Sequence, residues 1–211
     1  PAQTLAVPRH SGQHTDQKGD LITMDTGAML AGYHSDMTRT VALGYVNDEQ
    51  RAIYNTVLKA QLAVIDGARP GMRCCDVDKI ARDIIETPYP NTFGHGLGHG
   101  VGFEIHEWPR FNKTDETICE PGMVITDEPG IYIPGKCGVR IEDMLLITDD
   151  AAAASHIPRR SSSSCKISEK TEKQNGFFLK KATFCYTIDL RKIWRYYLYG
   201  NRRRFQKRRH L

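Results

Sequence analysis

Between Gly19 and Glu86 the spacing of apolar residues changes from strand-like to helical, and the change divides the segment into distinct elements. Leu21 to Asp25 (LITMD) and Met29 to Ser35 are short runs separated by Thr26-Gly27-Ala28, which predicts two strands joined by a tight turn. A third strand is expected over Arg39 to Gly44. From Asn47 the period lengthens: Ile53, Val57 and Val64, flanked by Tyr54, Leu58 and Ile65, would line one face of a helix. Asn47 with Gln50 three residues later is the signature of a capping box, and Gly67 followed by Pro70 supplies the stop. A second helix is predicted over Asp76 to Glu86 with Val77, Ile80, Ala81 and Ile84 inward. Beyond it the chain is glycine-rich and strand-like, with apolar runs at Met123 to Thr126 and Val139 to Thr148.

Regular patterning ends near Thr148, and the charge changes with it. Residues 1–148 hold 13 basic and 20 acidic side chains, a net −7, whereas residues 149–211 hold 16 and 5, a net +11. The whole-chain charge of +4 therefore hides an acidic body and a basic remainder. Within 149–164, Ala151 to Ser164 reads AAAASHIPRRSSSS, a low-complexity stretch resembling a linker. Residues 165–211 form a basic tail without helical or strand period, expected to be disordered or unrelated to the body. Its arginines, clustered with Trp194, Tyr196, Tyr197 and Tyr199, have the means to neutralise and stack on nucleic acid, although no recognised nucleic-acid motif accompanies them.

The 211 residues suit one sizeable domain with a short appendage, and no apolar run approaches the roughly 18 residues of a membrane span. Six cysteines (Cys74, Cys75, Cys119, Cys137, Cys165, Cys185) show no compact zinc spacing and read as reduced thiols, with Cys74 and Cys75 at the start of a helix. No secretory signal is visible, and a cytoplasmic location is expected.

Four strings carry candidate chemistry. In MDTGAMLAGYHSDMTRT, Asp25 and Asp36 lie on successive strand-like runs, so pairing can bring both carboxylates together, where they repel unless they share a proton or a cation. From this string alone, two solvated acids flanking a hairpin are an equal reading. FGHGLGHGVGFEIHEWP places His95, His99 and His106 among Gly94, Gly96, Gly98, Gly100 and Gly102. Glycine at alternate positions lets backbone lie close to a ligand or a strand, and neutral imidazole suits Zn, Mn or Co. In TDEPGIYI, Glu128 follows an apolar strand, and in GVRIED, Glu142 sits among apolar neighbours, where an acid is costly unless paired or metal-bound.

Together and in this order the four strings resemble the pita-bread metallopeptidases, the family of methionine aminopeptidase, aminopeptidase P and prolidase, over about Gly19 to Thr148. The resemblance implies an α+β fold, a curved antiparallel sheet with helices on its outer face. Because only about eighteen residues precede Gly19, the fold is expected to be incomplete at the N-terminus, with residues 1–148 a partial catalytic domain. It implies two divalent ions, Mn or Co, with Asp25 on one, Asp36 and Glu142 bridging, and His99 with Glu128 on the other. By the same resemblance Glu128 handles a proton, His106 steadies the oxyanion, and His95 and Arg140 line the substrate site. His10, and more remotely His14, match a substrate-contacting histidine ahead of the first aspartate.

SDMTRT and GVRIED are similar to the strings of the Xaa-Pro branch. The expected activity is hydrolysis of the bond between an N-terminal residue and a following proline, by a hydroxide held between two metals, on a peptide substrate and in a chain that forms a homodimer at full length. Two other readings stay open: a methionine aminopeptidase, and a catalytically inactive relative that binds a partner.

Overall fold

The computed structural model describes residues 17–154 of the chain. His10, His14, Cys165, Cys185 and the basic segment 165–211 lie outside the described residues.

The hairpin is longer and turns later than the apolar runs imply. Strands β1 (Leu21–Leu30) and β2 (Tyr33–Ala42) pair antiparallel along their whole length. The turn expected at Thr26-Gly27-Ala28 is the middle of β1, and the third expected strand, Arg39 to Gly44, is largely the second half of β2. The chain instead reverses at Ala31-Gly32, with φ of 52° and 85°. Two positive-φ residues give the mirror-image turn whose twist matches the flanking strands. Gly27 serves a different need, since a Cβ there would collide with the carbonyl oxygen of Ser35 across the ladder.

Helix α1 (Asp48–Gly67) starts at Asn47 with the capping box present: the Asn47 side chain accepts from Gln50 N, and the Gln50 side chain accepts from Asn47 N. Such a cap is worth about 1 kcal/mol. Ile53, Val57 and Val64 are fully buried, each contributing about 1.5–3 kcal/mol, so the apolar stripe, not the cap, holds the helix in place. Helix α2 (Cys74–Glu86) begins two residues before the expected Asp76 and has no side-chain cap. Its first donors go elsewhere: Cys74 N and Cys75 N donate to Thr117 O and Asp115 O. Cys74, Val77, Ala81 and Ile85 are its buried apolar residues, while Ile80 and Ile84 pack at the edge of the core. Among the described residues Cys74, Cys75, Cys119 and Cys137 are free thiols, and no helix is long and apolar enough to cross a membrane.

The rest is antiparallel sheet. Strands β3 (Gly98–Gly100), β4 (Glu107–Phe111), β5 (Val124–Asp127), β8 (Asp143–Ile147) and β9 (Ala152–Ala154) run in the order β4-β3-β5-β8-β9, and β6 (Gly130–Ile133) pairs with β7 (Cys137–Arg140) separately. β9 corrects part of the linker expectation, because Ala152–Ala154 adds an edge strand to β8 and packs against the core. Pairing with β9 gives the main-chain groups at the β8 edge their partners.

Alternation along β5 and β8 sorts their residues between two faces. Asp143 faces helix α1, where its Oδ2 accepts from Gln61 Nε2 at 2.9 Å, and Met144 faces the hairpin, where its sulfur accepts from Asp36 N at 3.3 Å. Asp127 is the register partner of Asp143, so it too faces the helices. It is fully buried, and neither carboxylate oxygen has a hydrogen-bond partner among the described residues. Burial first, then the charges of Asp143, Glu128 and Glu142, push its carboxyl well above the usual range. An unsatisfied buried acid costs about 1–3 kcal/mol. Asp127→Val, which suits a strand, is therefore expected to raise stability by about that amount. Urea denaturation at neutral pH checks this; an unchanged or lower midpoint would contradict it.

Candidate metal centre

Three sheets meet at the site. β1 and β2 bring Asp25 and Asp36, β3 brings His99, the residue after β5 is Glu128, and Glu142 lies with Ile141 in the break between β7 and β8. Glu142 was expected within a continuous strand; the break frees its main chain to turn toward the hairpin, where Glu142 N donates to Thr38 O at 3.1 Å.

The hairpin register explains how two carboxylates share one face. Asp25 stands opposite Thr38 and Gly27 opposite Asp36, so the two acids are diagonal neighbours and the position facing Asp36 carries no side chain. Asp36, His99 and Glu142 are all buried, and one ligand atom from each lies within 4.8 Å of the others. His99 Nε2 is 3.7 Å from Asp36 Oδ2 and 3.4 Å from Glu128 Oε1. The other ring nitrogen, Nδ1, lies 2.9 Å from Gly100 O. A carbonyl can only accept, so Nδ1 carries the proton and Nε2 presents its lone pair to the carboxylates. Asp25 is not one of these three; it lies diagonal to Asp36, half-exposed and joined to the Arg140 guanidinium.

Crowding of acids in a dry site raises their affinity for protons. Asp36 is pushed up to about 6 by burial and then by the charge of Asp25. Burial likewise pushes Glu128 up to about 7 and Glu142 well above the usual carboxylate range, the latter with help from Glu128 and Asp36. Burial holds His99 below its usual value. Buried carboxylate oxygens converging on a neutral imidazole nitrogen form the donor set of a divalent transition metal, whose charge would relieve the repulsion. The residues fit such an ion.

The same crowding has a pH signature without metal. A carboxyl whose pKa is higher in the folded state binds protons preferentially there, so its contribution to stability is fully present below about pH 4 and lost as pH rises through about 6. In chelator, Asp36→Asn is expected to exceed the parent in stability by on the order of 3 kcal/mol at neutral pH. The gap should close toward about pH 4. Urea midpoints across that window test it, and a pH-independent gap would count against it.

Other predicted site residues are more committed than the sequence suggests. Arg140, expected to meet a substrate carboxylate, donates from Nε to Thr38 Oγ1 at 3.0 Å, pairs with Asp25, and lies 3.8 Å from Glu128 Oε2. Much of its fork thus binds the centre itself, because β7 ends directly beneath the hairpin. His95, expected to line the substrate site, has both ring nitrogens engaged: Nδ1 lies 2.6 Å from Gly96 O, and Nε2 lies 2.8 Å from the Tyr132 hydroxyl. By the same carbonyl argument Nδ1 donates and Nε2 accepts from Tyr132. His106 is exposed and stacks obliquely on His99, ring centroids 4.4 Å apart.

Sequence reasoning passed over Thr38, Thr126 and Tyr132. Thr38 Oγ1 donates to Glu142 Oε2 at 2.5 Å, and Thr126 Oγ1 donates to Glu128 Oε1 at 3.1 Å while accepting from His99 N at 3.0 Å. Parity was the available signal: each threonine is two residues from an acid of the site, hence on the same strand face.

Comparison with known proteins gives these residues a lineage. The model of metallopeptidase family M24 matches residues 4–149. The Xaa-Pro dipeptidase of Pyrococcus furiosus is 54% identical over 137 residues, which are 64% of this chain and 39% of that protein. Among solved structures, prolidase from Pyrococcus furiosus superposes with a TM-score of 0.64 at 53% identity, covering 65% of this chain and 41% of that one. X-Pro aminopeptidase from Thermotoga maritima superposes with a TM-score of 0.65 at 36% identity, covering 68% and 41%. The chain thus spans about two-fifths of the length of the relatives it matches. With the pita-bread architecture of those structures and the acids and histidine of its three converging sheets, the chain belongs to metallopeptidase family M24, in the Xaa-Pro dipeptidase and aminopeptidase P branch.

Proposed function

We propose that this chain carries the metal centre of a peptidase that hydrolyses the bond between an N-terminal residue and a following proline, with two divalent ions, Mn or Co, as cofactors. The convergence of Asp36, His99 and Glu142 within 4.8 Å, with Glu128 beside His99, carries the reading. Bound divalent ions supply Lewis-acid polarisation and a water acidic enough to lose its proton near neutrality. The remaining work falls to side chains of this chain. Glu128, beside His99 with its Oε1 accepting from Thr126, is placed to take and return a proton. His106, exposed beside His99, offers a donor to oxygen charge that develops on a carbonyl. Tyr132, fixed between Arg140 and His95, keeps the wall of the site rigid on the Glu128 side.

The test is a peptide panel with added Mn2+ or Co2+ and a chelator control. Metal-dependent cleavage of Xaa-Pro dipeptides, lost in Asp36→Ala, is expected. Release of N-terminal methionine with poor cleavage before proline would favour a methionine aminopeptidase instead. No metal-stimulated cleavage by a folded sample, with Asp36→Ala behaving identically, would leave only the inactive, partner-binding relative.

A further inference from the structure

Glu142 is buried, but it lies between two strands that belong to different sheets, where no ladder fixes its main chain. Both of its backbone groups go to β2. Glu142 N donates to Thr38 O, and Glu142 O accepts from Arg39 Nη1 at 2.5 Å. The same Nη1 donates to Thr38 O at 2.8 Å, and Nη2 donates to Asp143 Oδ1 at 2.7 Å. Asp143 is held from its other side by Gln61 of α1. Arg39 and Asp143 are both buried.

We infer that Arg39 is a positioning residue for the metal centre, a planar clamp that fixes the main chain of Glu142 against the strand carrying Asp36. The inference rests on the metal-centre reading above. Asp36 lies in the hairpin and Glu142 in the break between two other sheets, and a shared ion requires their carboxylates to hold one separation. Thr38 fixes the Glu142 carboxylate, but the carboxylate is only as steady as the backbone beneath it. Arg39 binds that backbone, the neighbouring Asp143 carboxylate and its own strand with one rigid group. A guanidinium presents donors in a fixed plane to three acceptors, which a lysine ammonium on a flexible stem does not reproduce. Groups that orient metal ligands in this way change metal affinity about 10–100-fold when removed.

A merely structural Arg39 predicts something different: lost stability, with unchanged metal affinity in whatever remains folded. Arg39→Met alone leaves Asp143 buried without this cation and risks unfolding. Arg39→Met combined with Asp143→Asn removes that charge while the asparagine still bonds Gln61. Mn2+ titration calorimetry on the full chain, with the visible absorption of bound Co2+ as a report of ligand geometry, reads the outcome. The dissociation constant for Mn2+ is expected to rise about 10–100-fold in the folded double variant, with an altered Co2+ spectrum, and Arg39→Lys to fall between it and the parent. A folded double variant with parental Mn2+ affinity and a superimposable Co2+ spectrum overturns the role of Arg39 while leaving the metal centre intact. A parent chain that takes up neither ion overturns the metal-centre reading, and this inference with it.

Discussion

Alanine at position 98 is expected to cost more than about 4 kcal/mol, enough to lower the melting temperature by roughly 10–20 °C. The reason is steric and local. A Cβ on Gly98 would lie inside the contact distance of the Thr126 carbonyl oxygen, 2.6 Å from Thr126 Oγ1 and 2.7 Å from its carbonyl carbon. Real Cβ atoms do not occupy such positions, and the obstacle is the backbone of the fully buried Thr126, which cannot rotate aside as a side chain can. Overpacking in cores ordinarily costs about 1–3 kcal/mol because side chains adjust; here a strand must move. That movement also disturbs the site, since Thr126 Oγ1 accepts from His99 N and donates to Glu128. Gly98→Ala should therefore lose thermal stability and metal affinity together, in melting curves with and without Mn2+. A variant that melts within a few degrees of the parent would show that β3 and β5 are less tightly apposed than described.

How much of this was legible in the sequence depends on which interactions a segment answers to. Helix α1 is decided locally: its cap, stripe and stop all lie within the segment, and Asn47, Gln50 and Gly67 appear where expected. The residue types of the site were legible too, because acids and histidines among glycines and apolar runs conflict with their surroundings unless something resolves the conflict. The hairpin turn was not. Gly27 reads as a turn residue, but its missing Cβ answers to Ser35 across the ladder, and Ala31 gives no local hint that it adopts a positive φ. Nor did the sequence disclose that Arg140 spends much of its fork on Asp25 and Thr38, or that Thr38 and Arg39 take charge of Glu142 from about a hundred residues away. Those contacts are made between sheets that share no ladder, so no periodicity records them.

Glu142→Gln should move two observables in opposite directions. The glutamine keeps the shape of the side chain and still accepts from Thr38, so the change removes chiefly a charge and an anionic ligand. Glu142 is almost fully buried, and burial with the charges of Glu128 and Asp36 makes its ionised form unfavourable without metal. In chelator the variant is therefore expected to melt above the parent at neutral pH, because the crowded acids repel less. With Mn2+ the order reverses. Loss of a ligand should exceed the cost of losing a group that merely orients one, so affinity is expected to fall by more than about 100-fold. At a thousandfold excess of ion over the parental dissociation constant, binding stabilises the parent by about 4 kcal/mol, and a hundredfold weaker site by only about 1.4 kcal/mol. Differential scanning fluorimetry with chelator and with Mn2+ reads both effects on one sample. A variant that melts below the parent in chelator as well has been damaged in its packing, and one that keeps the full Mn2+-induced rise shows that Glu142 does not hold the ion.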